Sequence, residues 1–284
     1  MVNNSKEIKW DLVIESDRSN GFNLKEIWHY RDLLFLFVKR DFVSFYKQTI
    51  FGPVWFFIQP IFTTIVFTFV FGKLAGLSTD GLPQPLFYLA GITAWNYFAD
   101  CLTKTSTVFK DNSAIFSKVY FPRIIMPLSI VISNLIRFLV QLLLFIVILI
   151  YYYFQGYNFS ITYALFLLPV WILLMALLGL GFGLIITAMT TKYRDLSFLV
   201  QFGVQLLMYG TTVIYPLSSA PLRFKKIIEL NPITGIIEAF RYSFLGKGEF
   251  TLSSIGYSIL MTIIIVIMGI FIFNKTEKDF VDTI

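Results

Sequence analysis

The chain has 284 residues, 57% of them hydrophobic and 14% charged, with a formal net charge of +6 and a mean hydropathy of +0.74. Soluble globular chains carry about a quarter charged residues, so this composition excludes an ordinary water-soluble domain. Stretches free of Asp, Glu, Lys and Arg at 54–71, 138–191, 196–222 and 250–274 fall in or above the roughly 17–25 residues that one helical crossing of a bilayer needs. An all-α integral membrane protein follows, and no nucleic-acid partner is expected, because the distribution of the positive charge fits topology instead.

The first 50 residues are polar or amphipathic, so no cleavable signal peptide is expected. Within them Leu24, Trp28, Phe35, Val38, Phe42 and Phe45 recur at three and four residues, interrupted by Arg31. That spacing predicts an amphipathic helix lying on the inner membrane face, with Lys25, Lys39, Arg40 and Lys47 at the headgroups. It serves either as an anchor alone or as the border of a docking site. Gly52 and Pro53 then turn the chain into the first crossing, because Pro is tolerated in a first helical turn.

Six crossings are predicted near 53–72, 86–103, 124–153, 163–190, 196–214 and 252–273. Domain boundaries follow: 1–50 as the cytoplasmic N-terminal segment, 51–275 as the transmembrane domain and 276–284 as a cytoplasmic tail. The second crossing has the weakest signal, since it carries Asp100 and several polar groups; without it the termini would lie on opposite sides. The uncharged run 138–191 accommodates two crossings with "YYYFQGYNFS" between them. In the preceding loop, Ile115, Phe116, Val119 and Tyr120 form a short apolar face among Lys110, Lys118 and Arg123, ended by Pro122. Such a face suits a contact surface or a loop dipping into the membrane. Between spans five and six, Ile227, Ile228, Leu230, Ile233, Ile236, Ile237, Phe240 and Phe244 make stripes too short to cross. Two outer re-entrant helices meeting at Asn231-Pro232 are expected there, with Glu238 and Arg241 paired on one face.

Residues 1–52 hold eight Lys and Arg, and Lys104, Lys110, Lys118, Arg123, Lys192 and Arg194 fall on the same side under this plan. The excess predicts that both termini are cytoplasmic. His29 is the only histidine, which leaves no His-based metal cluster and no Ser-His-Asp arrangement. No phosphate loop occurs either; "GKLAGLS" and "GKGEF" do not match one. Energy for transport must therefore come from an ion gradient or from a separate ATPase. Asp100 and Arg137, the intramembrane charges, read better as a structural pair or as snorkelling groups than as a proton relay. Cys101 stands alone and forms no internal disulfide.

Three collinear motifs carry a resemblance. "RDFVSFYKQTIFGPVWFFIQP" (40–60), "KYRDL" (192–196) and "NPITGIIEAFRYSFLG" (231–246) resemble permeases of the ABC-2 exporter superfamily, particularly the O-antigen and polysaccharide or polyol-phosphate branch. The resemblance implies a homodimer in the bacterial inner membrane with two copies of an ATPase subunit, which would bind ATP and magnesium; no cofactor is expected in this chain. It implies export of a glycan linked to undecaprenyl pyrophosphate. A teichoic acid or capsular polymer is the alternative cargo, and an ion-coupled lipid or sugar carrier the alternative class. In that family the ATPase meets the interfacial helix, the loop after span two and the turn after span four. The corresponding residues here are Phe35, Phe42, Lys110, Ile115, Phe116, Val119, Tyr120, Arg123, Arg194 and Asp195. Trp95, Asn96, Tyr97 and Phe98 are candidates for a channel wall, since aromatic rings cover the C–H faces of sugars. Arg40, Lys47 and Arg123 are candidates for attracting a pyrophosphate at its entry, and Asn231, Pro232, Glu238 and Arg241 for an outer gate.

Overall fold

A computed structural model describes residues 24–47, 50–116, 118–119, 121–193 and 195–281, and all regular structure among them is helical. Tyr120, Arg194 and the segments 1–23 and 282–284 lie outside the described residues. The expected helix over this range is present in two pieces, α1 (Leu24–His29) and α2 (Arg31–Tyr46), separated at Tyr30. Its inward face differs from the expected stripe: Leu34, Phe37 and Val38 are buried, while Trp28 and Phe35 are exposed. Gly52 takes a left-handed φ of 51° and Pro53 stands in the short 3-10 turn Gly52–Val54, so the turn into α3 (Trp55–Phe67) forms as its residues require. Pro60 lies inside α3, and the helix widens into a π-helical stretch at Thr68–Leu74.

The chain continues through α4 (Gln84–Ser106), the short α5 (Val108–Asp111) and α6 (Ser113–Phe116), and α7 (Ile125–Phe154). A 3-10 turn at Tyr163–Leu167 leads into α8 (Leu168–Lys192), followed by α9 (Leu196–Tyr209). Then come α10 (Leu222–Glu229), α11 (Pro232–Leu245) and α12 (Leu252–Val281). Among the described residues, four helical stretches are long and apolar enough to cross a membrane: Gly52–Leu74, Ile125–Phe154, Tyr163–Lys192 and Leu252–Thr276. α4 has the length, about 35 Å at 1.5 Å per residue, but not the uniform apolarity. α9 is only 14 residues, about 21 Å, because the chain leaves the helix at Tyr209 and packs Thr211–Ile214 as a buried turn. The last membrane-capable stretch ends at Thr276, and α12 continues as helix to Val281.

Glycine controls how closely these helices approach. A Cβ added at Gly183 would lie 2.5 Å from Thr105 Cβ, and one at Gly179 would lie 2.7 Å from the Phe98 carbonyl. Gly179 and Gly183, one turn apart, thus put the backbones of α8 and α4 against each other. On the opposite face Gly181 meets α12 at Ile265, and a Cβ on Gly269 would lie 2.7 Å from the Gly181 carbonyl. In lipid no hydrophobic gain separates helix from lipid tail, so close backbone packing and interhelical hydrogen bonds hold the bundle. Thr187 donates to the Thr105 carbonyl at 2.7 Å and Thr190 donates to that of Ser106, extending the α4–α8 seam. α4 is thereby enclosed: Leu86–Ala94, Tyr97, Phe98 and Cys101 are buried among α7, α8 and α11. We expect Gly183→Val to cost roughly 1–3 kcal/mol, as overpacking does, read as a lowered unfolding midpoint in detergent.

Candidate functional site: an aromatic platform and a buried ion pair at opposite ends

The elements expected to meet an ATPase converge at one end of the bundle. Leu34, Phe37 and Val38 of α2 share a buried cluster with Val108, Phe109, Phe116, Phe121, Ile125 and Phe273. Phe109 is stacked on Phe273 at 5.0 Å, Phe116 lies 5.4 Å from Phe109 and 5.6 Å from Phe121, and Phe37 lies 5.5 Å from Phe121. Aromatic rings at these separations add directional attraction to the area they bury. The segment between α4 and α7 is therefore fixed to α2 and α12 rather than hanging free.

The expected coupling residues divide by exposure. Phe116 is an internal anchor, 8% exposed. Phe35, Lys110, Val119 and Asp195 are exposed, and Phe42, Ile115 and Arg123 are half-buried. Lys110 reaches the start of α9 by donating to Ser197 Oγ at 3.3 Å. Among the entry candidates, Arg40 pairs with Asp41 at 2.7 Å and donates to Asn112 Oδ1 at 3.3 Å. Arg123 lies over the Phe109 and Phe116 rings at 5.9 and 5.7 Å. Lys47 is exposed.

A polar seam climbs from this platform between α4 and α7. Lys104 donates to Asn134 Oδ1 at 2.8 Å, Asp100 pairs with Arg137 at 3.7 Å, and Asn96 donates to Gln141 Oε1 at 3.3 Å. The α4 members are four residues apart, so they share one helix face. Arg137 also lies 5.4 Å over the Phe56 ring. Of the four channel-wall candidates, Trp95, Tyr97 and Phe98 are 4%, 3% and 1% exposed, with Tyr97 against Phe138 and Trp95 against Phe98. Their faces are taken up by packing within this chain. Asn96 alone of the four reaches the half-open face.

At the other end, the two helices expected to meet at Asn231-Pro232 do so. Asn231 caps α11, its side chain accepting from the Ile233 N–H at 3.3 Å, Pro232 begins the helix, and Gly246 ends it in the left-handed region. Every residue of α11 except Tyr242 is buried. Glu238 and Arg241 pair at 2.8 Å with both side chains 1% exposed. The Arg241 guanidinium also donates to the Thr212 carbonyl at 2.6 Å and lies 3.9 Å over the Phe87 ring. The other Glu238 oxygen accepts from the Glu249 N–H at 3.1 Å. One ion pair thus ties α11 to α4, to the turn after α9 and to the loop before α12. Nearby, Lys225 of α10 donates to Glu249 at 2.6 Å, and that bond holds its ammonium above the ordinary lysine value.

Sequence reasoning missed Phe109 and Phe121, the ring partners of Phe116, and Phe273, which stacks on Phe109. Only the seven-residue spacing of Phe109 and Phe116 hinted at a shared face. It also missed Asn112, Thr212 and Glu249, which act through contacts far apart in the chain and leave no local pattern.

A helical bundle with four membrane-capable helices, an amphipathic entry helix and an aromatic platform at one end defines a multi-pass membrane protein. The chain belongs to the ABC-2 type transporter family, whose sequence profile matches residues 32–245. It is 28% identical over 251 residues to an O-antigen export system permease protein RfbA of Klebsiella pneumoniae, covering 88% of this chain and 94% of that one. It is 26% identical over 224 residues to RfbA of Myxococcus xanthus, covering 78% and 83%. It is 21% identical over 232 residues to the polysialic acid transport protein KpsM of Escherichia coli, covering 80% and 86%.

Removing one member of a buried ion pair strands the other charge, at a cost of roughly 3–5 kcal/mol. Glu238→Ala should therefore abolish stable folding or lower the unfolding midpoint sharply. The double substitution Glu238→Leu, Arg241→Met should recover most of the loss, because no lone charge remains; a double-mutant cycle in detergent measures this.

Proposed function

We propose that this chain is the permease subunit of an ATP-driven exporter that moves a lipid-linked polysaccharide of the O-antigen kind across the bacterial inner membrane. The observation that carries the reading is the family match over 32–245, joined to similarity with O-antigen export permeases along 88% of the chain. Two copies of the chain form the conduit, and two copies of an ATPase subunit, which bind ATP and magnesium, drive it. The similarity to KpsM favours a capsular polymer as the second cargo.

In this reading α4 and α9 complete six crossings. α9 reaches across with the help of the buried turn that follows it, and both termini are cytoplasmic. α10 and α11 enter the membrane from outside as re-entrant helices, with the Glu238–Arg241 pair holding the outer gate. The ATPase grips the inner platform through its exposed side chains, Phe35, Val119, Lys110 and Asp195, while Phe116 transmits the movement to α2 and α12 through the stacked rings. The open polar face of Asn96, Asp100 and Lys104 supports a hydrated path for hydroxyl-rich cargo better than the packed rings beside it do. A charged side chain at depth requires water or protein partners rather than lipid.

Cells lacking the permease, complemented with Val119→Asp, should show surface polymer reduced about tenfold, the effect of one lost contact of ~1.4 kcal/mol. Membrane levels of the protein should be unchanged, since Val119 is exposed. Surface polymer is read by immunoblot. Export that persists with a hydrolysis-dead ATPase and collapses with the proton gradient would overturn the reading.

A further inference from the structure

Asp80 is the one non-glycine residue with a left-handed φ, 54°, among the described residues. It stands in the loop between the π-helical stretch and α4, between Gly76 and Gly81, which take φ of 63° and 77°. Glycine at position 80 would meet the same backbone demand with less strain, so the carboxylate is what this position gains. Strain held at a single polar residue points to a role for its side chain. The turn around it is wound on itself. Thr79 donates to the Leu82 carbonyl at 2.7 Å, and the Asp80 N–H donates to Ser78 Oγ at 3.2 Å.

The carboxylate accepts from Ser218 Oγ at 2.7 Å, 138 positions away. Ser218 stands in the 3-10 turn Leu217–Ser219, with Pro216 before it and Pro221 after it, so the partner backbone is stiff as well. The bond is exposed, and water can replace either partner in it at little net cost. A second partner lies in the interior. Arg241 donates through Nη1 to Glu238 and through Nη2 to the Thr212 carbonyl, but its Nε is buried with no partner among the described residues. Asp80 is close enough to favour the charge on that guanidinium. Rotation of one short side chain between staggered positions thus offers the carboxylate two partners, one at the surface and one buried.

We infer that Asp80 is a two-position switch: bound to Ser218 it holds the α3–α4 loop against the turn between α9 and α10, and bound to Arg241 Nε it lets the two separate. This rests on the export reading above, under which these loops lie on the outer side and must part for cargo to leave.

The test uses the full permease with its ATPase in vesicles. Leu82, 8% exposed in the same loop, is replaced by cysteine (Leu82→Cys) and labelled with a membrane-impermeant maleimide during ATP turnover. Cys101 is buried, and the parent chain without Leu82→Cys sets the background. Ser218→Ala removes the surface partner and should raise the labelling rate about tenfold, the effect of one lost bond to a charged group. Asp80→Asn still accepts from Ser218 and tolerates the left-handed φ, but a neutral amide pairs weakly with a guanidinium. Its labelling rate should fall about tenfold, with the unfolding midpoint in detergent unchanged. Any outcome other than opposite shifts would overturn the proposal; a fixed staple, for instance, is weakened by both substitutions and labels faster in both. A disulfide between Asp80→Cys and Ser218→Cys should stop export, and reduction should restore it. Normal export by the bridged complex would remove the switch and leave the export reading standing. Opposite labelling shifts in a complex that exports no glycan would remove the export reading and leave the switch standing.

Discussion

The architecture depends on two close backbone crossings made by a single helix. α8 presents Gly179 and Gly183 to α4 and Gly181 to α12, so one helix is clamped on both sides with no side chain of its own at the contacts. In lipid, where burying leucine against leucine gains little over burying it against acyl tails, such contacts and the hydroxyl bonds of Thr187 and Thr190 do what the hydrophobic effect does in water. Because α8 fixes α4, and α4 supports α7 and α11, the aromatic platform and the buried ion pair both inherit their positions from this seam.

The two ends of the molecule use different chemistry for the same purpose. At the platform, stacked Phe rings tie α2, the segment 108–121 and α12 together, leaving Arg40 and Arg123 to cover the edges. At the opposite end one desolvated ion pair serves three attachments at once, through Thr212, Phe87 and the Glu249 amide. A ring cluster tolerates sliding, because its attraction varies gently with offset. A buried ion pair held by short directional hydrogen bonds does not. The two ends of the bundle therefore differ in how readily they can shift.

Between them runs the seam of Asn96, Asp100 and Lys104 opposite Gln141, Arg137 and Asn134. Asp100 keeps 40% of its side-chain surface open beside its partner. A carboxylate so placed marks a face turned toward water or toward another polypeptide. The chain therefore has an apolar exterior on α3 and α12 and a polar flank between α4 and α7.

The hydropathy of the sequence determined most of the helix plan, since a backbone in lipid must satisfy its own hydrogen bonds and long uncharged runs have no alternative to helix. Gly52-Pro53, Asn231-Pro232 and Gly246 were equally legible, because each acts through its own backbone geometry. The sequence also pointed to the pairing of Glu238 with Arg241 and to Phe116 as a residue of consequence. Tertiary structure alone decided that the pair is sealed from solvent, that Phe116 is an anchor rather than a contact, and that Trp95, Tyr97 and Phe98 face inward. It alone revealed the bond between Asp80 and Ser218. A helix shows its periodicity in its own residues, but which face meets a neighbour depends on residues 82 to 164 positions away, and no local pattern encodes that distance.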